Sequence, residues 1–429
     1  MMLKNIFLTS ILLLLSFLVP TQTVAETLEE AWEVALTIDH TLKAAQQNTQ
    51  SSKYQLKSAK AARLPSVSIN AGYSILDDTP TTQVPFGGGV AQFPLAARES
   101  LSYQAMTVLP LYTSGQISSH IEAANSALMA SKEIESGKAL DIKLQVAESY
   151  IAVLRSSKSL RVVNSHVSSL TAHANDVSNM YEQGMVSRND LLAAEVALAD
   201  ARQMAIKIEN RLDISKSAYN RLLGRSLQQP VFLKERQSVV FNQSLEQLTD
   251  KAVSKRYELQ VLQQQAKVLL ETAKAIRAQS GPQIALMGGY DYKENDYQVH
   301  EGQWLVNLGM QWKIFDAGLI RNKAKATERQ AQALKQQYGD VLSQVKLQVR
   351  KYWLDTQETQ KRIKVTEASI SQAEENLKVN RDRYENGLST NTEVLDAETL
   401  RTRSLDNHAN AIYDAVLASI RLKRAVSDL

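Results

Sequence analysis

The sequence predicts a mainly α-helical chain that also carries membrane-type β-strands, written as two tandem repeats. Three observations predict this. Only 16 glycines and 8 prolines occur in 429 residues, so little interrupts long helices built from alanine, glutamine, leucine, serine and lysine. Leu28–Tyr73 aligns without a gap on Leu245–Tyr290, 217 residues later, and further on Gly115, Tyr181, Gly184 and Glu195 fall on Gly318, Tyr384, Gly387 and Glu398, 203 residues later. Four short stretches alternate apolar and polar residues with period two, with aromatics towards their ends, which is the pattern of a transmembrane barrel strand. A soluble sandwich with one buried face gives the same alternation in any single strand. Four such strands in duplicate, behind an export signal, favour the membrane.

Residues 1–25 read as that signal. Lys4 supplies a positive start, Ile6–Val19 an apolar run, and "TVA" a small residue for cleavage after Ala25. The run is short for a spanning helix, although an uncleaved anchor would read similarly. The first repeat covers 26–224. It opens with a helix over 28–62, stopped before Pro65. Strands follow at about 66–75 and 101–111. In "SVSINAGYS", Val67, Ile69, Ala71 and Tyr73 share one face. The offset falls by fourteen between Tyr73 and Gly115, so a long exposed loop belongs there.

A helix over 116–182 comes next. It bears two adjacent apolar stripes, one through Val146, Tyr150 and Val153, the other through Leu144, Ala147 and Ile151. Two stripes imply a neighbour on each side, as in a wall or barrel of helices. Gly184 reverses the chain, and a helix over 189–223 ends at Gly224. Residues 225–244 link the copies. The second repeat, 245–429, repeats the order: helix 245–279, strands at about 283–292 and 303–314, long helix 319–385, a turn at Gly387, helix 392–426.

Several chemistries find no support. The net charge of +4 comes from 49 basic and 45 acidic residues interspersed along helices, which speaks against nucleic acid. No cysteine is present, so there is no disulfide, thiolate metal site or lipid-modified N-terminus, and the chain reads as no lipoprotein. "GGGV" at 87–90 lacks the lysine and helix of a phosphate loop. His166 and His173 stand two helical turns apart, about 10 Å, too far for one metal ion, and read as solvated. No catalytic constellation stands out, so neither an enzyme nor a cofactor is expected.

Four strands cannot enclose a lumen, which takes roughly a dozen. Subunits must therefore pool strands. Three chains give twelve, although closure by itself also allows two or four.

The marks "RLPSVSINAGYS", "VLPLYTSGQI" with its copy "WKIFDAGLI", and the turns "YEQGMVSRNDLLAAE" and "YENGLSTNTEVLDAE" together resemble the TolC family of outer-membrane efflux and secretion ducts. The resemblance covers nearly all of the chain after the signal. It implies a homotrimer whose 12-stranded β-barrel crosses the outer membrane of a Gram-negative bacterium and continues as a long α-helical barrel into the periplasm. A mixed belt, here 225–244 and the C-terminal tail, surrounds it. It also implies a periplasmic adaptor (membrane fusion) protein and, through it, an inner-membrane pump, in efflux or type I secretion. Tyr73, Tyr103, Tyr290, Tyr292, Trp304 and Trp312 would then face lipid.

The turns at Gly184 and Gly387 would lie at the closed periplasmic tip. By motif position, Glu393 and Asp396 fall where the family places acidic rings that narrow the pore, although two acids three residues apart otherwise read as a solvated helix face. Tyr384 and Asp190 fall where a tyrosine–aspartate link latches neighbouring helix pairs. Asn189 matches a partner in a second link, but Ser389 stands where that link expects arginine. The competing reading is a non-conducting structural or adhesive trimeric coiled coil anchored in the outer membrane.

Overall fold

The structure is a computed structural model that describes residues 25–239, 241 and 243–429. The expected signal peptide, apart from Ala25, lies outside the described residues. The first copy runs α1 (Leu28–Ile38), α2 (His40–Ala61), β1 (Ser66–Ile75), β2 (Thr81–Phe86), β3 (Gly89–Pro94), β4 (Glu99–Tyr112), α3 (Gln116–Glu182) and α4 (Arg188–Leu222). The second runs α5 (Leu245–Lys255), α6 (Tyr257–Ala278), β5 (Gln283–Lys293), β6 (Gly302–Gln311), α7 (Leu319–Glu385) and α8 (Asn391–Ala425). Helices α3 and α7 are both 67 residues long, and α4 and α8 both 35, so the duplication holds to the residue.

Two features differ from the sequence reading. The helices expected over 28–62 and 245–279 are each broken, at Asp39 (φ −58°, ψ 121°) and at Arg256 (φ −65°, ψ 121°). These positions are 217 residues apart, so the break is itself duplicated. Asp39 Oδ1 accepts from the backbone N (2.7 Å) and Oγ1 (2.6 Å) of Thr41, a local bond that competes with the helix. Neither glycine nor proline marks either break. The long loop expected before Gly115 is in fact an antiparallel hairpin, β2–β3, turning through Gly87 (φ 59°) and Gly88 (φ 92°). Two consecutive positive φ values define the turn that matches strand twist. This gives "GGGV" its role.

The chain forms two compact units. One comprises Leu42–Lys138 and Val253–Val345, the other the segment up to Thr41 with Ala139–Ala252 and Lys346–Leu429. The first unit contains the sheet, antiparallel in the order β1-β4-β5-β6. Its register sets Tyr73 opposite Leu101, Tyr103 opposite Tyr292, and Tyr290 opposite Trp304. Directly opposed residues share a face, so these aromatics all lie on one side. Tyr103 stacks on Tyr292 at 4.6 Å, and Tyr290 meets Trp304 at 5.3 Å. Trp312 lies just past β6, and its indole Nε1 donates to the Ser280 carbonyl (3.0 Å). Every residue of β1 is exposed, and among the described residues the outer edges of β1 and β6 pair with nothing.

The second unit holds most of the buried apolar side chains of α1, α3 and α8. Glu26 ties its segments together. It forms a parallel bridge with Leu233, and Arg225 grips its carboxylate at 2.6 and 2.9 Å. The one hydroxyl proton of buried Tyr150 is shared between the carbonyls of Glu26 (2.8 Å) and Lys234 (2.6 Å). Thus the segment at Glu26 and the linker after Gly224 are fastened to α3.

The ends of α4 and α8 share a left-handed cap, Gly224 at φ 60° and Ser427 at φ 56°. In each, the next amide bonds back to the last turn, Arg225 N to Asn220 O (2.9 Å) and Asp428 N to Lys423 O (2.8 Å). Serine pays a steric cost in this conformation, and the Ser427 hydroxyl is buried without a hydrogen bond among the described residues. Ser427→Gly is expected to stabilise the protein by about 1 kcal/mol, seen as a rise in thermal melting temperature. Gly224→Ser should lower it, because a side chain is strained at φ 60° and its Cβ would also displace Ile38 Cδ1. A fall with Ser427→Gly would contradict this account of the cap.

Candidate functional site

The two glycine turns are built alike. Gly184 (φ 72°) and Gly387 (φ 71°) take the left-handed backbone. Met185 N bonds Met180 O (2.8 Å) and Leu388 N bonds Arg383 O (2.7 Å), closing the last turns of α3 and α7. Ser187 and Thr390 then cap α4 and α8, their hydroxyls accepting from the third amide inside each helix.

The acids at that third position serve differently. Asp190 completes a capping box: its Oδ2 accepts from Ser187 N (3.1 Å) and Ser187 Oγ (2.7 Å). Glu393 instead accepts from the hydroxyl of Ser389. Glu393 and Asp396 are both exposed, one helical turn apart on α8, and Asn189 is exposed on α4.

All four helices meet beneath the turns in one apolar cluster. α3 gives Ala174 and Val177, α4 gives Ala194, α7 gives Leu377 and Tyr384, and α8 gives Val394 and Ala397. The Tyr384 ring belongs to this cluster. Its hydroxyl has no hydrogen-bond partner among the described residues, and Oδ2 of the Asp190 carboxylate is held by Ser187. Burial, and then the nearby Asp190 charge, push the Tyr384 hydroxyl above its ordinary pKa. Both residues line a cavity of about 330 Å³ between the turns.

Polar groups in the same place escaped the sequence reading. His173, expected to be solvated, is 5% exposed. It lies in the buried stripe of α3 with Leu170, Ala174 and Val177, and its Nε2 is 2.7 Å from Asn391 Oδ1. Asn391 Nδ2 in turn donates to the Asp190 carbonyl (2.9 Å). His166 is not free in solvent either: its Nδ1 is 3.7 Å from Glu398 Oε2.

Glu398 is fully buried. Arg381 of α7 pairs with it, and Ser169 of α3 donates to it at 2.6 Å while accepting from Arg381 at 2.6 Å. Its repeat mate, Glu195, is exposed. Only the difference between the copies signals the burial: Arg381 has Ser178 as its mate, so the cation exists on one side alone. Burial by itself pushes the Glu398 carboxyl up, but His166, Ser169 and Arg381 outweigh it and hold the carboxyl below its ordinary value.

Comparison with known proteins agrees along nearly the whole chain. The sequence model described as "Outer membrane efflux protein" matches residues 32–225 and 248–427. "Outer membrane protein TolC" of Vibrio cholerae serotype O1 is 21% identical over 414 residues, 94% of this chain and 91% of that protein. Among solved structures, CusC superposes with a TM-score of 0.82 at 19% identity, over 94% of this chain and 92% of CusC. VceC from Vibrio cholerae gives 0.78 at 18% identity, over 93% of this chain and 95% of VceC. The two copies of the repeat thus adopt the protomer fold of these outer-membrane proteins.

Because the folded-state pKa of Glu398 lies below the ordinary 4.5, its ionised form contributes stability above that value, and the contribution is lost as pH falls through the folded pKa. Thermal stability of the wild type should therefore drop as pH falls below the ordinary carboxylate range and through the folded-state pKa. Glu398→Gln should be less stable at neutral pH and should drop less steeply on acidification. Parallel curves for the two proteins would remove Glu398 from the acid response.

Proposed function

The chain belongs to the outer membrane efflux protein family, and from that premise we propose that it is the passive exit duct of a tripartite efflux or type I secretion system. The observation that carries this reading is the sheet, with aromatic and aliphatic residues on one face, Asn307, Gly309 and Gln311 on the other, and two open edges. Such a sheet suits lipid outside and water inside once three copies join β1 of one to β6 of the next. Tyr73, Tyr103, Tyr290, Tyr292, Trp304 and Trp312 face lipid in this arrangement. The polar face speaks against a non-conducting anchor, which needs no wet lumen.

The duct spans the outer membrane and reaches into the periplasm. There an adaptor protein couples it to an inner-membrane pump. The gate lies at the glycine turns, with Tyr384, Asp190 and Asn189 at the junction between helix pairs. Glu393 and Asp396, exposed at the start of α8, give six carboxylates around one axis in a trimer. Held close, such charges repel one another and attract cations.

Purified protein should migrate as a heat-labile trimer and conduct ions in planar bilayers. Divalent cations added on the turn side should block it. Glu393→Ala with Asp396→Ala should weaken that block at least several-fold while leaving open-state conductance intact. Undiminished block would take the acidic ring away from these residues, and a folded trimer that never conducts would sink the duct.

A further inference from the structure

The polar groups beneath the turns form a directed chain. Asn391 Nδ2 donates to the Asp190 carbonyl at 2.9 Å, which turns Asn391 Oδ1 towards His173 Nε2 at 2.7 Å. Oδ1 can only accept, so Nε2 carries the proton and donates. The chain therefore runs from His173 on α3, through Asn391 at the first position of α8, to the backbone at the start of α4. It joins the turn of one copy to the turn of the other, and both side chains are buried, His173 at 5% and Asn391 at 2% exposure. Its repeat mates are Asn376, which is exposed, and Arg188, so the relay exists once per protomer.

We propose that this His173–Asn391–Asp190 relay is the fastening between the two turns within a protomer, and that it sets how readily they part. The proposal rests on the gating reading above and gives it a mechanism. Moving the second copy's turn away from the first carries Asn391 off both partners at once, and leaves two buried side chains with unmet hydrogen bonds. The fastening does not run through Tyr384 and the Asp190 side chain. The Tyr384 hydroxyl bonds nothing among the described residues, and the Asp190 carboxylate bonds Ser187 through Oδ2 within its own turn. One to two helical turns further along, Glu398 of α8 meets Ser169 of the same α3, so α3 is tied to α8 at two levels.

Asn391→Asp separates this role from helix capping. The substitution is isosteric, can still accept from His173, and places an acid where a helix start favours one. It replaces the donor to the Asp190 carbonyl with an oxygen that repels it, so the bond to the first copy's turn is lost while that to His173 is kept. Hydrogen exchange on the full-length protein in detergent should show amides of 183–191 and 386–394 exchanging about five- to tenfold faster in Asn391→Asp and in His173→Phe, each judged by one lost buried bond. Amides of β1 and β4 should be unchanged, and Tyr384→Phe, which removes no hydrogen bond, should speed no amide at the turns. A variant with wild-type melting temperature and wild-type exchange at the turns would overturn the relay, and so would an equal effect of Tyr384→Phe.

Planar-bilayer conductance of the same variants tests the reading beneath. Faster exchange with raised conductance supports both. Faster exchange with unchanged conductance keeps the fastening and removes the gate from the turns.

Discussion

An antiparallel sheet of four strands leaves two edges, and nothing within this chain's sheet covers them. Backbone groups along β1 and β6 must find partners, and a membrane offers no water to supply them. That requirement makes the chain a fraction of a larger object. It also accounts for the exposed apolar residues along the helices, such as Val196, Met204 and Ile206 on α4 and Leu347 and Val365 on α7. In a lone protomer these would be liabilities. They are what is expected of surfaces that meet other copies.

Much of this was legible in the letters. The two offsets located every long helix, because an exact register of 203 residues links 116–182 to 319–385 and 188–222 to 391–425. Period-two alternation found the faces of the strands, since a strand's side chains have nowhere else to point. What stayed hidden depended on tertiary partners. Asp39 and Arg256 carry no breaker residue, yet both leave the helix. His173 has the spacing of a core position but the chemistry of a surface one, and only the arrival of Asn391 from a segment 218 residues away decides between them. Glu398 and Glu195 are the same letter at matched positions, one buried and one exposed, and no local rule separates them.

The buried polar groups trade stability for definition. Apolar side chains such as Val177, Val394 and Ala397 attract one another in any register that keeps them dry. A fully buried carboxylate with three partners does not. Slide α8 by one turn along α3, and Glu398 loses Ser169 and His166 while remaining desolvated. Such penalties fall on misaligned packings more than on the native one, the role best attested for polar groups in helical seams. Here the set occurs once per protomer, since the repeat mates of Glu398 and His173, Glu195 and Asn376, are exposed. The two helix pairs, similar in length and turn, are therefore not interchangeable, and one pairing is specified without a symmetric alternative.

The left-handed residues preserve something that the letters have lost. Ser114 and Ala317 both sit at φ 51°, each before a glycine that is also left-handed, and Gly224 and Ser427 differ by four degrees although the side chain has changed. Torsion has outlasted identity. A cap that keeps its shape with serine where its mate has glycine is held by its neighbours rather than by its own preference. Ancestry in a duplicated chain is thus recorded twice, in residues that drift and in backbone angles that hold. Two halves too far diverged to align by residue type could still be matched by the few places where the chain turns the wrong way.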